Sequence, residues 1–357
     1  MRTLLIVSTE PHAGKSVLSL ALGAFLRDKG TRLAYMKPIS SSVSYATGEP
    51  RDRDAETIRS YLGLQSDVKQ IAPVALEGPF LQEAIESGDR GFRERIVQAH
   101  SQLVQDKDFV LLEGRRYLGL GVGAGLSDFD IAERLDASIL VITRYDGEEA
   151  IDRVLCAVRL LGGEERIVGV VLNSVSMESQ LNQVIDVFAP FLDERGAEVM
   201  GIVPYDHSQR SVTVEEVVDR LGGRVITEVP LDKEIQYFRL GAGGPESSLR
   251  AFRRTPDLGV ITGSDRVEIQ QVALRAPSLR CLVLTGNTPP EREVVRTANE
   301  RGVPILLVAQ EPMAAAALSE GVLNYGRMHI GPRLDRAVGL LRTNVDLDRI
   351  IEKVPDR

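Results

Sequence analysis

Histidine and cysteine are scarce in this chain of 357 residues, and tryptophan is missing: there are four histidines, two cysteines and no tryptophan. The histidines are scattered without zinc-ligand spacing, so no zinc site is expected. Cys156 and Cys281 each lie in an apolar run and read as small core residues, neither a disulfide nor a metal pair. No apolar stretch reaches the ~20 residues of a membrane-spanning helix. The opening residues lack the pattern of a secretory leader. These absences read as a cytoplasmic protein with no membrane partner. The formal net charge is −8 and no basic stripe occurs, which argues against a nucleic-acid partner. There is no low-complexity segment. With 43% hydrophobic and 26% charged residues the chain has a globular composition, long enough for two or three domains.

What the chain does contain is concentrated at its start. An apolar run, Arg2 to Val7, leads into Ser8-Thr9-Glu10-Pro11-His12-Ala13-Gly14-Lys15-Ser16-Val17. Leu18, Ala21, Leu22 and Phe25 then recur at helical spacing, and Gly30 supplies a stop. A strand, a turn ending in Gly-Lys-Ser and a helix make a phosphate-binding loop. Backbone N–H groups of the turn and the helix N-terminus converge on one point, where an anion finds donors and a favourable dipole. Glu10 to Val17 would wrap a nucleotide's phosphates. Lys15 would add charge near the outer phosphates, and Ser16 would put its hydroxyl on Mg²⁺. The motif is imperfect, because Thr9 stands where the strict pattern has glycine.

Apolar runs at 3–8, 32–36, 108–113, 138–143, 167–173 and 198–203 alternate with helical patterns near 15–29, 54–63, 81–105, 128–136, 147–161 and 178–195. This predicts an α/β fold of the P-loop NTPase type: a mostly parallel sheet, buried on both sides, with helices on both faces. Ligands of such sheets bind at the carboxyl ends of the strands. That places Glu10–Ser16, Lys37, Glu113 and Asn173 around one crevice. A boundary is expected at Tyr205-Asp206-His207-Ser208-Gln209-Arg210, and Thr213 with Glu216 then forms a capping box. A second, smaller α/β domain follows, with strands near 224–228, 257–262, 280–285 and 304–308 and a glycine turn at 241–244. The expected division is 1–210, 211–325 and a helical tail, 326–357.

Four further positions carry chemistry. Lys37-Pro38 ends the second strand, where a lysine either contacts a transferring phosphoryl group or is a surface lysine at a strand exit. In Asp52-Arg53-Asp54, opening a helix, an acid is an N-cap or a Mg²⁺ ligand. Glu113-Gly114 closes a buried strand, a natural place for a carboxylate that holds Mg²⁺ or positions water. Asn173, at another strand end, offers a donor and an acceptor suited to a purine edge, or is a turn residue.

The set Gly14-Lys15-Ser16, Lys37-Pro38, Asp54-Ala55, Glu113-Gly114, Val171-Leu172-Asn173 and Gly201-Ile202-Val203-Pro204 resembles dethiobiotin synthetase over residues 1 to about 206. The resemblance implies a homodimeric P-loop domain that uses MgATP to phosphorylate a carbamate before ring closure. It implies that Lys15 and Lys37 contact phosphoryl oxygens, that Ser16, Asp54 and Glu113 hold Mg²⁺, and that Asn173 and Pro204 contact adenine. The chain departs from that family at Ser8, where the family has glycine. It departs again at Arg115-Arg116-Tyr117, where the family has a small glycine-rich substrate loop. The nucleotide site is therefore expected to be kept and the biotin-precursor site lost.

Gly263-Ser264-Asp265-Arg266, one helix before Thr285-Gly286-Asn287, resembles a DRTGG domain. Asp265, Arg266, Thr285 and Gly286 match, and Asn287 replaces the last glycine. Two turns carrying these residues would face one crevice, with Arg266 gripping a small anionic ligand, or Asp265 and Arg266 would simply cap a helix. The order of the two domains resembles the N-terminal part of long phosphate acetyltransferases. The thirty residues that remain cannot form an acetyltransferase domain. The expectation is a MgATP-binding regulatory or sensor protein with weak ATPase activity. The alternative is an ATP-dependent ligase that activates a carboxylate or carbamate, with Arg115 and Arg116 gripping its substrate. Glutamine-dependent amide synthases share a similar first domain, but no histidine is placed to activate Cys281.

Overall fold

A computed structural model of the chain describes residues 1–40, 43–44, 51–76, 80–87, 91–161, 166–176, 178–206, 211–324 and 330–356. The chain divides into two compact units, 1–206 with 328–357, and 207–327. Of the expected junction, residues 207–210 lie outside the described residues, as do 41 and 42 after Lys37-Pro38.

The first unit is built on six strands: β1 (Arg2–Ser8), β2 (Leu33–Met36), β3 (Phe109–Glu113), β4 (Ser138–Arg144), β5 (Ile167–Val175) and β6 (Val199–Pro204). All are parallel, in the spatial order β6-β5-β4-β1-β3-β2. Successive side chains of a strand point to opposite faces. Here both faces are apolar and covered. Leu5, Val7, Val110, Leu112 and Val141 join one core cluster. Leu4, Ile6, Leu111, Leu140 and Ile142 join the other. That is why these strands read as continuous apolar runs. The chain runs outward from β1 to β2, returns to β3, and then crosses β1 to reach β4. The strand order reverses at β1, so the carboxyl end of β1 is the switch point where open α/β sheets bind ligands. Helix α1 (Lys15–Asp28) follows β1 and buries Leu18, Leu22 and Leu26 against the sheet.

The helical pattern at 81–105 is two helices, Phe80–Ser87 and Phe92–Leu103, the second entered from Gly91 in the left-handed region (φ 68°). Cys281 is buried, and burial pushes its thiol up to about 12. Cys156, expected in the core, is exposed. Its helix, Glu149–Leu160, turns Ala150, Val154 and Ala157 inward and leaves position 156 on the outer face.

Residues set apart in the sequence as a tail are part of the first unit. Helices Pro332–Asn344 and Leu347–Lys353 contribute Leu334, Val338, Leu341, Leu347 and Ile350 to the cluster that holds Leu18 and Leu22 of α1. The Asp346 N–H donates to the Met200 carbonyl at 2.8 Å, and Val345 bridges to Gly201 of β6. A Cβ at Gly201 would lie 2.6 Å from the Asn344 carbonyl, so this approach requires glycine. An amphipathic pattern shows that a helix has an apolar face, but not which surface receives it.

The second unit carries β7 (Arg224–Val225), β8 (Tyr237–Leu240), β9 (Leu258–Gly263), β10 (Leu279–Thr285) and β11 (Ile305–Leu307). Their order is β7-β11-β10-β9-β8, parallel except for β7. Helix Val214–Leu221 opens with the reciprocal Thr213–Glu216 capping box. Among the described residues no helix is long and apolar enough to cross a membrane.

Ile350 is fully buried in the core of the first unit. Ile350→Ala is expected to cost that unit about 2–5 kcal/mol. In urea denaturation its transition should move to lower urea, while that of the second unit stays in place. Coincidence with wild type would contradict this packing.

Candidate functional site

The β1–α1 turn ends with Gly14 in the left-handed region (φ 107°) as the N-cap of α1, with no side chain capping it. A Cβ there would sit 2.6 Å from Asn173 Nδ2. Conformation and space both demand glycine, and among the described residues no side chain caps the first N–H groups of α1. Several side chains hold the turn. Glu10 accepts from the Arg144 N–H (2.5 Å) and the Thr143 hydroxyl (3.1 Å), and pairs with Arg153 at 3.2 Å. Asn173 donates from Nδ2 to the Ala13 carbonyl (2.8 Å), and its Oδ1 accepts from the Ser174 N–H. Its amide thus clamps the loop.

Lys15 is buried, and its ammonium donates to Ser8 Oγ at 2.6 Å and to the Arg116 carbonyl at 3.3 Å. Ser8, standing where glycine was expected, is the floor of the loop. Burial lowers the Lys15 pKa, Glu113 and Asp128 raise it, and Lys37 presses it down again. Ser16 Oγ donates to Glu113 Oε1 at 2.8 Å, and the Tyr35 hydroxyl donates to Glu113 Oε2 at 2.9 Å. Burial, then the field of Glu113, holds the tyrosine well above its usual value, so it stays a donor.

Helix α2 (Arg53–Leu62) is capped by Asp52, which accepts from the Ala55 N–H. Asp52 also pairs with Lys37 at 2.8 Å and accepts from the Ser40 hydroxyl. Lys37 lies 3.8 Å from Glu113 and 4.0 Å from Asp54. Burial opposes its charge, but Glu113, Asp52 and Asp54 outweigh that and keep its pKa above the ordinary lysine value. The sequence singled out Asp54 for the metal. Asp54 is partly exposed, and Asp52, the N-cap two residues before it, makes the direct contact with Lys37. Pro204 ends β6, in register with Val175 and two strands from β4. Ser16 and Glu113 present a hydroxyl and a carboxylate side by side. Among the described residues no three His, Cys, Asp or Glu side chains gather as a metal cage. A Mg²⁺ ion completed by phosphates and water does not need one.

In the second unit, Asp265, Arg266, Thr285 and Gly286 share the carboxyl edge of β9 and β10, where Gly263 stands opposite Thr285. The Ser264 N–H and hydroxyl both donate to the Thr285 carbonyl. Arg266, however, donates to the Gly241 and Gly243 carbonyls at 2.7 and 2.9 Å. Its guanidinium ties down the glycine turn. Asn287 takes a left-handed conformation (φ 54°), the backbone for which the motif's glycine is suited.

Arg115 and Arg116 take different paths. Arg115 is buried, stacks on Phe80 at 4.7 Å and donates to the Leu120 carbonyl at 3.1 Å, so it fills the altered loop. Helix α3 (Asp128–Arg134) begins with the buried Asp128, which accepts from the Arg115 N–H at 2.9 Å. No residue near it in sequence marks it as different from an ordinary first-turn acid. Its carboxyl is pushed up to about 7 by burial, against the Arg115 hydrogen bond. An unfolded aspartate titrates near ~4. The folded chain therefore keeps a proton that the unfolded chain releases, and the stability tied to it is lost as pH rises through about 7. Asp128→Asn keeps an acceptor for the Arg115 N–H. Its stability relative to wild type should grow by about 1 kcal/mol per pH unit between roughly pH 4 and 7. Parallel melting curves across that range would contradict the buried carboxylate.

Comparison with known proteins follows the two units. The AAA domain model matches residues 2–213, and the DRTGG domain model matches 216–321. The phosphate acetyltransferase of Pseudomonas aeruginosa is 25% identical over 332 residues, 87% of this chain and 46% of that protein. The ATP-dependent dethiobiotin synthetase of Methanococcus vannielii is 24% identical over 201 residues, 56% of this chain and 91% of that protein. The chain thus spans less than half the length of the phosphate acetyltransferases it matches. Among solved structures, MinD of Aquifex aeolicus aligns with a TM-score of 0.34 at 14% identity, over 58% of this chain and 83% of that one. The chain belongs to the AAA-domain family, with a dethiobiotin synthetase-like P-loop domain followed by a DRTGG domain, as in the N-terminal part of long phosphate acetyltransferases.

Proposed function

We propose that this chain binds MgATP and works as a nucleotide-responsive regulatory protein, with slow ATP hydrolysis at most. One observation carries the reading. At the switch point of the sheet, a glycine-capped helix N-terminus, the Lys15 ammonium and the Ser16–Glu113 pair stand together. Open N–H groups, a buried cation and a hydroxyl beside a carboxylate suit a triphosphate and its Mg²⁺. In this reading Glu10–Val17 line the phosphates, Ser16 and Glu113 hold the metal with Asp54 at its edge, and Asn173 and Pro204 flank the base. The dethiobiotin synthetase relatives are ATP-dependent by name, which supports ATP as the nucleotide. Their resemblance also favours a homodimer in the cytoplasm. The second unit would add a site for a small anionic ligand at Asp265, Thr285 and Gly286, with Arg266 shaping the turn.

The altered loop favours regulation over ligase chemistry. Arg115 and Asp128 line a narrow recess with Leu5, Pro38, Ile39 and Glu113, and in this reading they fill space that a ligase would give to a carboxylate or carbamate. Lys37 is held by Asp52 rather than aimed at a phosphoryl group.

Isothermal titration with MgATP tests the reading: Lys15→Ala should bind at least tenfold more weakly than wild type, and equal affinities would overturn it. ADP release then separates regulation from synthesis. Lys37→Ala should change a slow basal rate less than threefold. A loss on the order of 10²–10³ would indicate a phosphoryl-stabilising charge and an enzyme.

A further inference from the structure

Tyr35 stands on β2, in register with Leu111 of β3. Its side chain is fully buried, and Leu4, Leu18, Ala55 and Leu111 share its core cluster. A phenylalanine would fill such a place equally well. A buried hydroxyl costs free energy unless it finds a partner. The Tyr35 hydroxyl has one, Glu113 Oε2 at 2.9 Å. Packing accounts for the ring, and only the carboxylate accounts for its oxygen.

The other oxygen of Glu113 meets the loop. Oε1 accepts from Ser16 at 2.8 Å and lies 3.8 Å from Lys37 Nζ, while Lys37 itself is paired with Asp52 at 2.8 Å. One carboxylate is thus divided between two neighbours: Oε1 beside the hydroxyl of α1, Oε2 beside a tyrosine of the core. Among the described residues no other group donates to Oε2. A carboxylate can give a cation one oxygen or both. Ca²⁺ gathers about six to eight oxygens at roughly 2.3–2.6 Å and accepts both from one carboxylate, whereas Mg²⁺ demands a tight octahedron at about 2.0–2.1 Å. A group that occupies the second oxygen therefore bears on which ion the first one holds.

We propose that Tyr35 is a positioning residue that sets the metal selectivity of the nucleotide site. By holding Oε2 in the core it leaves Glu113 a single oxygen to offer beside Ser16, which suits Mg²⁺ and disfavours Ca²⁺. This rests on the nucleotide reading above and deepens it. The same hydrogen bond fixes the rotation of the carboxylate, as outer partners of metal ligands do elsewhere. Without the hydroxyl the second oxygen loses its donor and the carboxylate is free to offer both.

The test titrates the full chain with a non-hydrolysable ATP analogue in Mg²⁺, in Ca²⁺ and in EDTA, for wild type and Tyr35→Phe. Wild type should bind the Mg²⁺ complex more tightly than the Ca²⁺ complex. Tyr35→Phe should shrink that preference by about tenfold, the scale on which outer partners of metal ligands act. Its affinity for the metal-free analogue should match wild type. Where Tyr35→Phe does not fold, Tyr35→Met, a flexible filler of the same space, carries the same expectation. An unchanged ratio of the two affinities would overturn the assignment, because a merely structural tyrosine would move all three affinities together. Equal affinity of wild type for the two complexes would overturn it as well, and in both cases the nucleotide site is left standing. If the analogue binds wild type under none of the three conditions, the nucleotide reading falls and the selectivity falls with it.

Discussion

Glu113 is the point on which the first unit's chemistry converges. Its carboxylate ends a buried strand, accepts from Ser16 on α1 and Tyr35 on β2, and stands 3.8 Å from Lys37. A buried charge is tolerable only with partners. Here the partners come from different strands and helices, so the same contacts that solvate the carboxylate fix the register of the site. Removing it would leave Lys37 and Lys15 short of counter-charge and Tyr35 without an acceptor. The geometry of the loop and the folding of the sheet are in that sense one electrostatic problem.

Ser8 shows how a small departure from a motif changes the site. With glycine there, the floor of the loop would be bare backbone. The serine hydroxyl instead accepts the Lys15 ammonium and lies within hydrogen-bond distance of the Glu10 and Arg116 carbonyls. The segment after β3 is thereby tied to the loop, and the Leu118 N–H adds a bond to the Ser8 carbonyl. The departures at Ser8 and at Arg115-Arg116 belong to one rearrangement, although they are more than a hundred residues apart in sequence.

Much of this was legible in the residues. Strands buried on both faces announce themselves as unbroken apolar runs, so the six strands of the first unit could be located within a residue or two. Gly14-Lys15-Ser16 and Glu113 could be placed together because each follows a strand. What escaped depended on partners distant in the chain. Asp52 and Asp54 both stand at the start of one helix, and only the position of Lys37 shows that it pairs directly with the capping Asp52. Arg266 looks available until the Gly241 and Gly243 carbonyls are brought to it. Strand β8 was missed because Tyr237–Leu240 is a short edge with half-exposed side chains, and such strands lack an apolar run. Asp128 gave no signal, since burial is invisible in a residue's identity.

The contribution of Leu334 through Val354 to the core around α1 has a consequence for synthesis. A ribosome releases the chain from its amino end, and domains tend to fold as they emerge. The stretch 207–327 is complete while the first unit still lacks its last two helices. The part made first must therefore wait for the part made last, with the apolar side of α1 uncovered meanwhile. In that interval the younger module is finished before the older one can close.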